Sequence, residues 1–113
     1  MKVYDTANKL AQEIKESQEY IEYKKVREEI ESNSELKQKI ENFEKSRYEL
    51  QLSNIKGQNE NNTDTLEKFQ KIYLELVQDE LAKRYFELEI KFNIMLSDVN
   101  KIIAESVKDV LKN

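Results

Sequence analysis

The 113-residue sequence has no cysteine, proline, histidine or tryptophan, and its single glycine is Gly57. Each absence closes off some chemistry. Without cysteine there is no disulfide, no thiolate nucleophile and no zinc or iron–sulfur ligation of the usual kind, which suits a reducing cytoplasm. Without histidine the commonest general base and metal ligand is missing, and with it hydrolytic triads and the Glu-x-x-His element of carboxylate-bridged di-iron sites. One glycine cannot build a phosphate-cradling loop, so familiar nucleotide sites are excluded. No apolar run approaches the roughly 20 residues that cross a bilayer. The opening Met1-Lys2-Val3-Tyr4-Asp5 leads into a charged segment, so neither a membrane span nor a standard export signal is expected.

Hydrophobic residues make up 38% of the chain and charged residues 37%, a composition poor in apolar surface. Proline and all but one glycine are gone, while Glu, Lys and Leu, all good helix formers, are the commonest residues; this predicts an all-α fold. The length suits one domain, residues 1–113, with a modest core. Net charge is −4, with 11 basic and 12 acidic residues before Gly57 and 8 and 11 after it. Neither half is basic enough to hold nucleic acid electrostatically, so no direct nucleic-acid partner is expected.

Five helices are predicted. Asp5 as N-cap and Ala7, Leu10, Ala11 and Ile14 at helical spacing give a first helix over 5–16. Ser17 can cap a second, 17–31, with Tyr20, Tyr23, Val26 and Ile30 on one face. These two form a short N-terminal arm. Ser32 and Glu35 read as a capping box for a third helix, 33–56, whose seam is Leu36, Ile40, Phe43, Arg47 and Leu50. Gly57, placed to close it in a left-handed conformation, opens a polar hinge loop over 57–63. Thr63 or Asp64 can cap a fourth helix, 64–78, carrying Leu66, Phe69, Ile72, Tyr73, Leu76 and Val77. Asp79 restarts the chain for a fifth, 79–112.

The fifth helix carries the clearest periodicity: Leu81, Tyr85, Leu88, Phe92, Met95, Val99 and Ile102 alternate steps of four and three. Ala82, Phe86, Leu96, Ile103 and Val107 widen this stripe beyond what one neighbouring helix covers. At the standard rise such a helix is about 50 Å long, against a radius of gyration near 13 Å for a compact chain of this size. The seven stripe positions are therefore the candidate oligomer interface, and a homodimer or higher homo-oligomer is expected. Tyr20 and Tyr23 are a candidate face for a protein partner, since phenols on a short helix can pack inward or present a contact surface. Arg47 in the third-helix seam is either an interface specificity device or a stem covering apolar surface. The acid pairs Glu13 with Glu16, Glu28 with Glu31 and Glu41 with Glu44 could in principle take a hard cation, but a solvated helix face explains them better. No catalytic, cofactor-binding or metal residues are assigned, and a non-enzymatic protein is expected.

Particular segments also carry a family pattern: Tyr4 to Leu10, Ser17 to Tyr20, Glu41-Asn42-Phe43 with Gln51 and Gly57, and Leu96 to Ile103. On these the chain resembles, from end to end, the YlbF/YmcA family of small helical bacterial proteins, most closely its YheA-like branch. The resemblance implies a helical bundle on two long antiparallel helices, commonly dimeric. Better-studied relatives form a cytoplasmic complex that influences competence, biofilm formation and sporulation and is linked to messenger RNA maturation through ribonuclease Y. The implied role is a cytoplasmic adaptor or regulator, with an accessory role in RNA processing as the alternative. Members of that complex ligate iron–sulfur clusters through cysteines; this chain has none, so nothing that depends on a cluster carries over.

Overall fold

The computed structural model describes residues 1–56 and 59–111, with the backbone alone for 56 and 59–62. Among them are five helices and no strand: α1 (Lys2–Glu16), α2 (Gln18–Glu31), α3 (Ser34–Lys56), α4 (Asn59–Leu76) and α5 (Glu80–Val107). The all-α bundle expected from composition is what forms.

The helix joints differ in part from the expected caps. Helix α1 starts before Asp5: the Tyr4 and Asp5 amides donate to the Met1 carbonyl, and no side chain caps the end. Asp5 instead lies in the first turn, where its charge complements the positive end of the helix dipole. Ser17 does cap α2, its Oγ accepting from the Tyr20 amide at 3.2 Å. The cap of α3 is Asn33, whose Oδ1 accepts from the Leu36 amide at 3.1 Å, and not the Ser32–Glu35 box. The Ser32 hydroxyl is turned back onto the Glu28 carbonyl of α2. Asp79 caps α5 as expected, accepting from the Leu81 and Ala82 amides at 2.9 and 3.2 Å.

Two boundaries move further. Helix α4 begins at Asn59, not 64, so most of the expected 57–63 hinge is helical. Propensity is a weak prior, and a helix packed along a neighbour can extend through polar residues that disfavour it in isolation. The expected closure at Gly57 lies outside the described residues. Helix α5 ends at Val107, not 112; the Val110 and Leu111 amides fold back onto the Val107 carbonyl in a final turn.

The chain divides into two compact units, Met1–Lys25 with Phe86–Asn113, and Val26–Tyr85. In the second, α3 and α4 form an antiparallel pair centred on Phe43. Its ring lies 5.0 Å from that of Phe69 and 5.8 Å from that of Tyr73, both tilted, the offset geometry that aromatic quadrupoles favour. Glu49, later in α3, pairs with Lys68, earlier in α4. Leu36, Ile40 and Phe43 are buried as the seam predicted, but the stripe continues through Ser46 and Ser53. These two small side chains, seven residues apart, take the place that Arg47 was expected to hold. Ser46 Oγ is buried with no hydrogen-bond partner among the described residues. Arg47 sits beside the seam, half-exposed, bonded to Glu44 and with its guanidinium 5.5 Å from the Phe43 ring centre. Its guanidinium lies against an aromatic face while staying partly in water. Val26, Ile30, Leu76, Ala82 and Tyr85 complete this core.

Across the α2–α3 turn, Lys37 Nζ pairs with Glu31 at 2.9 Å. The hydrogen bond to Glu31 first, and its charge second, hold the Lys37 ammonium above the ordinary lysine value. The pair's contribution is therefore fully present below the unfolded-chain value of about 10.4 and is lost as pH rises through the raised folded one. Being exposed, it is also screened by salt.

Two outcomes are expected. Asn33→Ala should cost about 1 kcal/mol in urea unfolding, whereas Ser32→Ala should cost less than about 0.5. The melting-temperature difference between wild type and Lys37→Met should be constant from about pH 7 to 9 and should vanish by about pH 12.

Candidate functional site

In the unit formed by residues 1–25 and 86–113, the first half of α2 runs antiparallel to α5. Tyr20 and Tyr23 fall three residues apart and so share a helix face, as do Glu89 and Phe92 opposite. The Phe92 ring lies 6.1 Å from that of Tyr20 and 5.5 Å from that of Tyr23. The Tyr23 hydroxyl donates to Glu89 Oε2 at 3.4 Å, and Lys24 Nζ stands 6.0 Å from the Tyr20 ring centre. All three rings are half-buried. Tyr20 and Tyr23, considered above as a partner face, thus spend much of their ring surface on Phe92.

The seven α5 stripe positions grade from covered to bare along the helix. Leu81 is half-buried, Tyr85 and Leu88 are 7% and 3% exposed, Phe92, Met95 and Val99 are half-buried, and Ile102 is 70% exposed. Tyr85 and Leu88 are therefore already covered within a single chain, and the bare apolar surface begins later. Ile90 and Ile94, one turn apart and off the predicted stripe, are exposed as well. Periodicity offered no signal for these two, because they interrupt the heptad spacing on which the stripe was read.

Beside the aromatic cluster an open groove of about 710 Å³ runs between α2 and α5. Leu88, Ile94, Met95 and Val99 supply its apolar lining, while Gln18, Glu19, Glu22, Lys91 and Asp98 supply the polar one. Three carboxylates against one ammonium make its rim acidic. Helix α1 belongs to the same unit and is strongly amphipathic, yet it buries no side chain; only Leu10 and Ile14 are half-covered.

No group of three or more carboxylates is placed to hold a metal among the described residues. Several of the paired acids are engaged elsewhere: Glu16 accepts from Gln12, Glu31 pairs with Lys37, and Glu44 bonds Arg47. Among the described residues no helix is long and apolar enough to cross a membrane.

The profile of a family described as "Control of competence regulator ComK, YlbF/YmcA" matches residues 3–108. A UPF0342 protein of Symbiobacterium thermophilum is 37% identical over 105 residues, 93% of each chain. One from Caldicellulosiruptor bescii is 33% identical over 106 residues, covering 94% of this chain and 88% of its own. One from Alkalihalophilus pseudofirmus is 32% identical over 111 residues, covering 98% and 93%. No solved structure matches the chain significantly.

The cluster geometry sets a clear ranking. Phe92→Ala should cost about 2 kcal/mol in chemical denaturation, roughly half the value of a fully buried phenylalanine. Tyr23→Phe removes only a long hydrogen bond and should cost less than about 0.5 kcal/mol.

Proposed function

Because this chain belongs to the YlbF/YmcA family, described as controlling the competence regulator ComK, we propose that it is a non-enzymatic, homo-oligomeric adaptor or regulatory protein of the bacterial cytoplasm, acting by helix-to-helix association. The family is regulatory and is not a known enzyme class; its UPF0342 members carry no activity in their names.

The observation that carries the reading is the uncovered apolar surface of α1 and the far half of α5. Val3 and Tyr4 at one end, and Ile102, Ile103, Val110 and Leu111 at the other, are all more than half-exposed. A chain with so little apolar residue to spare gains nothing by holding it in water. Exposed apolar side chains gathered on a surface mark interaction sites. An accessory role in RNA processing has only the family resemblance behind it, since the charge balance supplies no basic stripe.

Sedimentation equilibrium at low micromolar concentration should return at least twice the monomer mass. Ile102→Glu, at a bare position, should weaken association about tenfold or more with helicity intact. Leu88→Glu, at a covered position, should unfold the chain instead, because it buries a charge without a partner. A fully helical monomer at tens of micromolar would overturn the proposal.

A further inference from the structure

Successive residues of an α-helix are turned by about 100°. Ile94, two residues past Phe92, therefore lies on the other side of α5 from the ring that closes on Tyr20 and Tyr23. Ile94 and Ile90, one turn back, are 55% and 56% exposed. Between Phe86 and Ile103, four charged residues share this outer face, within about 60° of Ile94 by the helical turn. They are Glu87, Lys91, Asp98 and Lys101, and all are exposed. The other charge of this stretch, Glu89, accepts from Tyr23. We propose, resting on the self-association argued above, that two copies of the chain pair through this face, their α5 helices antiparallel about a two-fold axis at Ile94.

The order of charge along the face names the occupant. It runs acid, base, Ile94, acid, base. An antiparallel copy presents the same order reversed, so every charge meets its opposite. Lys91, three residues before Ile94, meets Asp98, four after it; Glu87, seven before, meets Lys101, seven after. A two-fold axis forms each pair twice and closes the assembly at two chains. A parallel copy in register would set each charge against its own sign, and a helix of one sign would match only half of them. Glu105, further along, is held by Lys108 of its own chain at 3.0 Å, and Glu19 and Glu22 belong to the α2 wall of the groove. None of these three acids enters the match.

Exposed ion pairs stabilise little by themselves, so the charges set orientation while removal of Ile90 and Ile94 from water drives association. Ile102, 70% exposed, comes level with Glu87 of the other copy and flanks the same contact. Pairing inside one chain, Glu87 with Lys91 and Asp98 with Lys101, satisfies the same charges and leaves both isoleucines more than half in water. Antiparallel pairing covers the isoleucines as well.

The two arrangements are separable, because residues 91 and 98 lie about 10 Å apart along one helix, beyond the three- and four-residue spacings that interact within it. Sedimentation equilibrium on Lys91→Glu and on Asp98→Lys should each show association weakened about tenfold, with helicity unchanged by circular dichroism. The double variant should recover to within a few-fold of wild type, since coupling between these positions requires contact between chains. Additive weakening in a folded double variant is the result expected of in-chain pairing and would overturn the proposal. In a second arm, the cysteine-free chain is given Ile94→Cys or Ile102→Cys and treated with a short bis-maleimide. Position 94 faces itself across the axis, whereas the two copies of position 102 stand about 23 Å apart along it. Ile94→Cys should therefore cross-link several-fold faster. Equal rates would mean parallel pairing and would overturn the arrangement. A dimer without the Ile94→Cys cross-link would overturn this face while leaving self-association standing; a helical monomer would remove both.

Discussion

The contact of the Phe43 ring with Phe69 and Tyr73 holds together the longest antiparallel pair in residues 26–85. With only 38% hydrophobic residues the chain cannot spread its apolar surface over many interfaces. It concentrates that surface where two helices lie side by side. Ser46 and Ser53 continue the same face with side chains small enough to let helix backbones approach, at the cost of leaving Ser46 Oγ without a protein partner. Arg47, displaced from the seam by one position, returns some of that cost by lying over Phe43 and bonding Glu44.

Residues 1–25 and 86–113 follow a different economy. Their best-covered side chains, Phe86 and Leu88, lie at the start of the segment of α5 they include, and coverage declines through the half-buried Phe92 cluster to bare surface at Ile102 and beyond. Helix α1 is amphipathic and buries no side chain, with Leu10 and Ile14 half-covered. This unit thus presents an apolar stripe on one helix and an acid-rimmed groove between two others.

Much of the helical layout was legible from the residues. Ser17 and Asp79 were recognised as caps because a side-chain oxygen before an amphipathic run can reach the amides two or three residues on. Asn33 was missed because Ser32 and Glu35 offered an equally good local pattern, and which oxygen turns toward α3 depends on how α2 ends. The start of α4 was misplaced because Asn59, Asn61 and Asn62 have poor intrinsic helix propensity, a preference of tenths of a kcal/mol per residue that packing can outweigh. Of the candidate site, the α5 stripe was legible but its gradient of coverage was not, and Ile90 and Ile94 lie off the heptad spacing that defines the stripe.

The sequence by itself determined the all-α class, the number of helices and the lack of thiol and imidazole chemistry, because these depend on composition and on spacing along a single helix. Tertiary structure decided which apolar side chains are covered within one chain, that Tyr20 and Tyr23 close on Phe92, and that the α1 stripe buries no side chain. Coverage depends on residues distant in the chain meeting in space, and helical periodicity records only which face a side chain occupies, not what lies opposite.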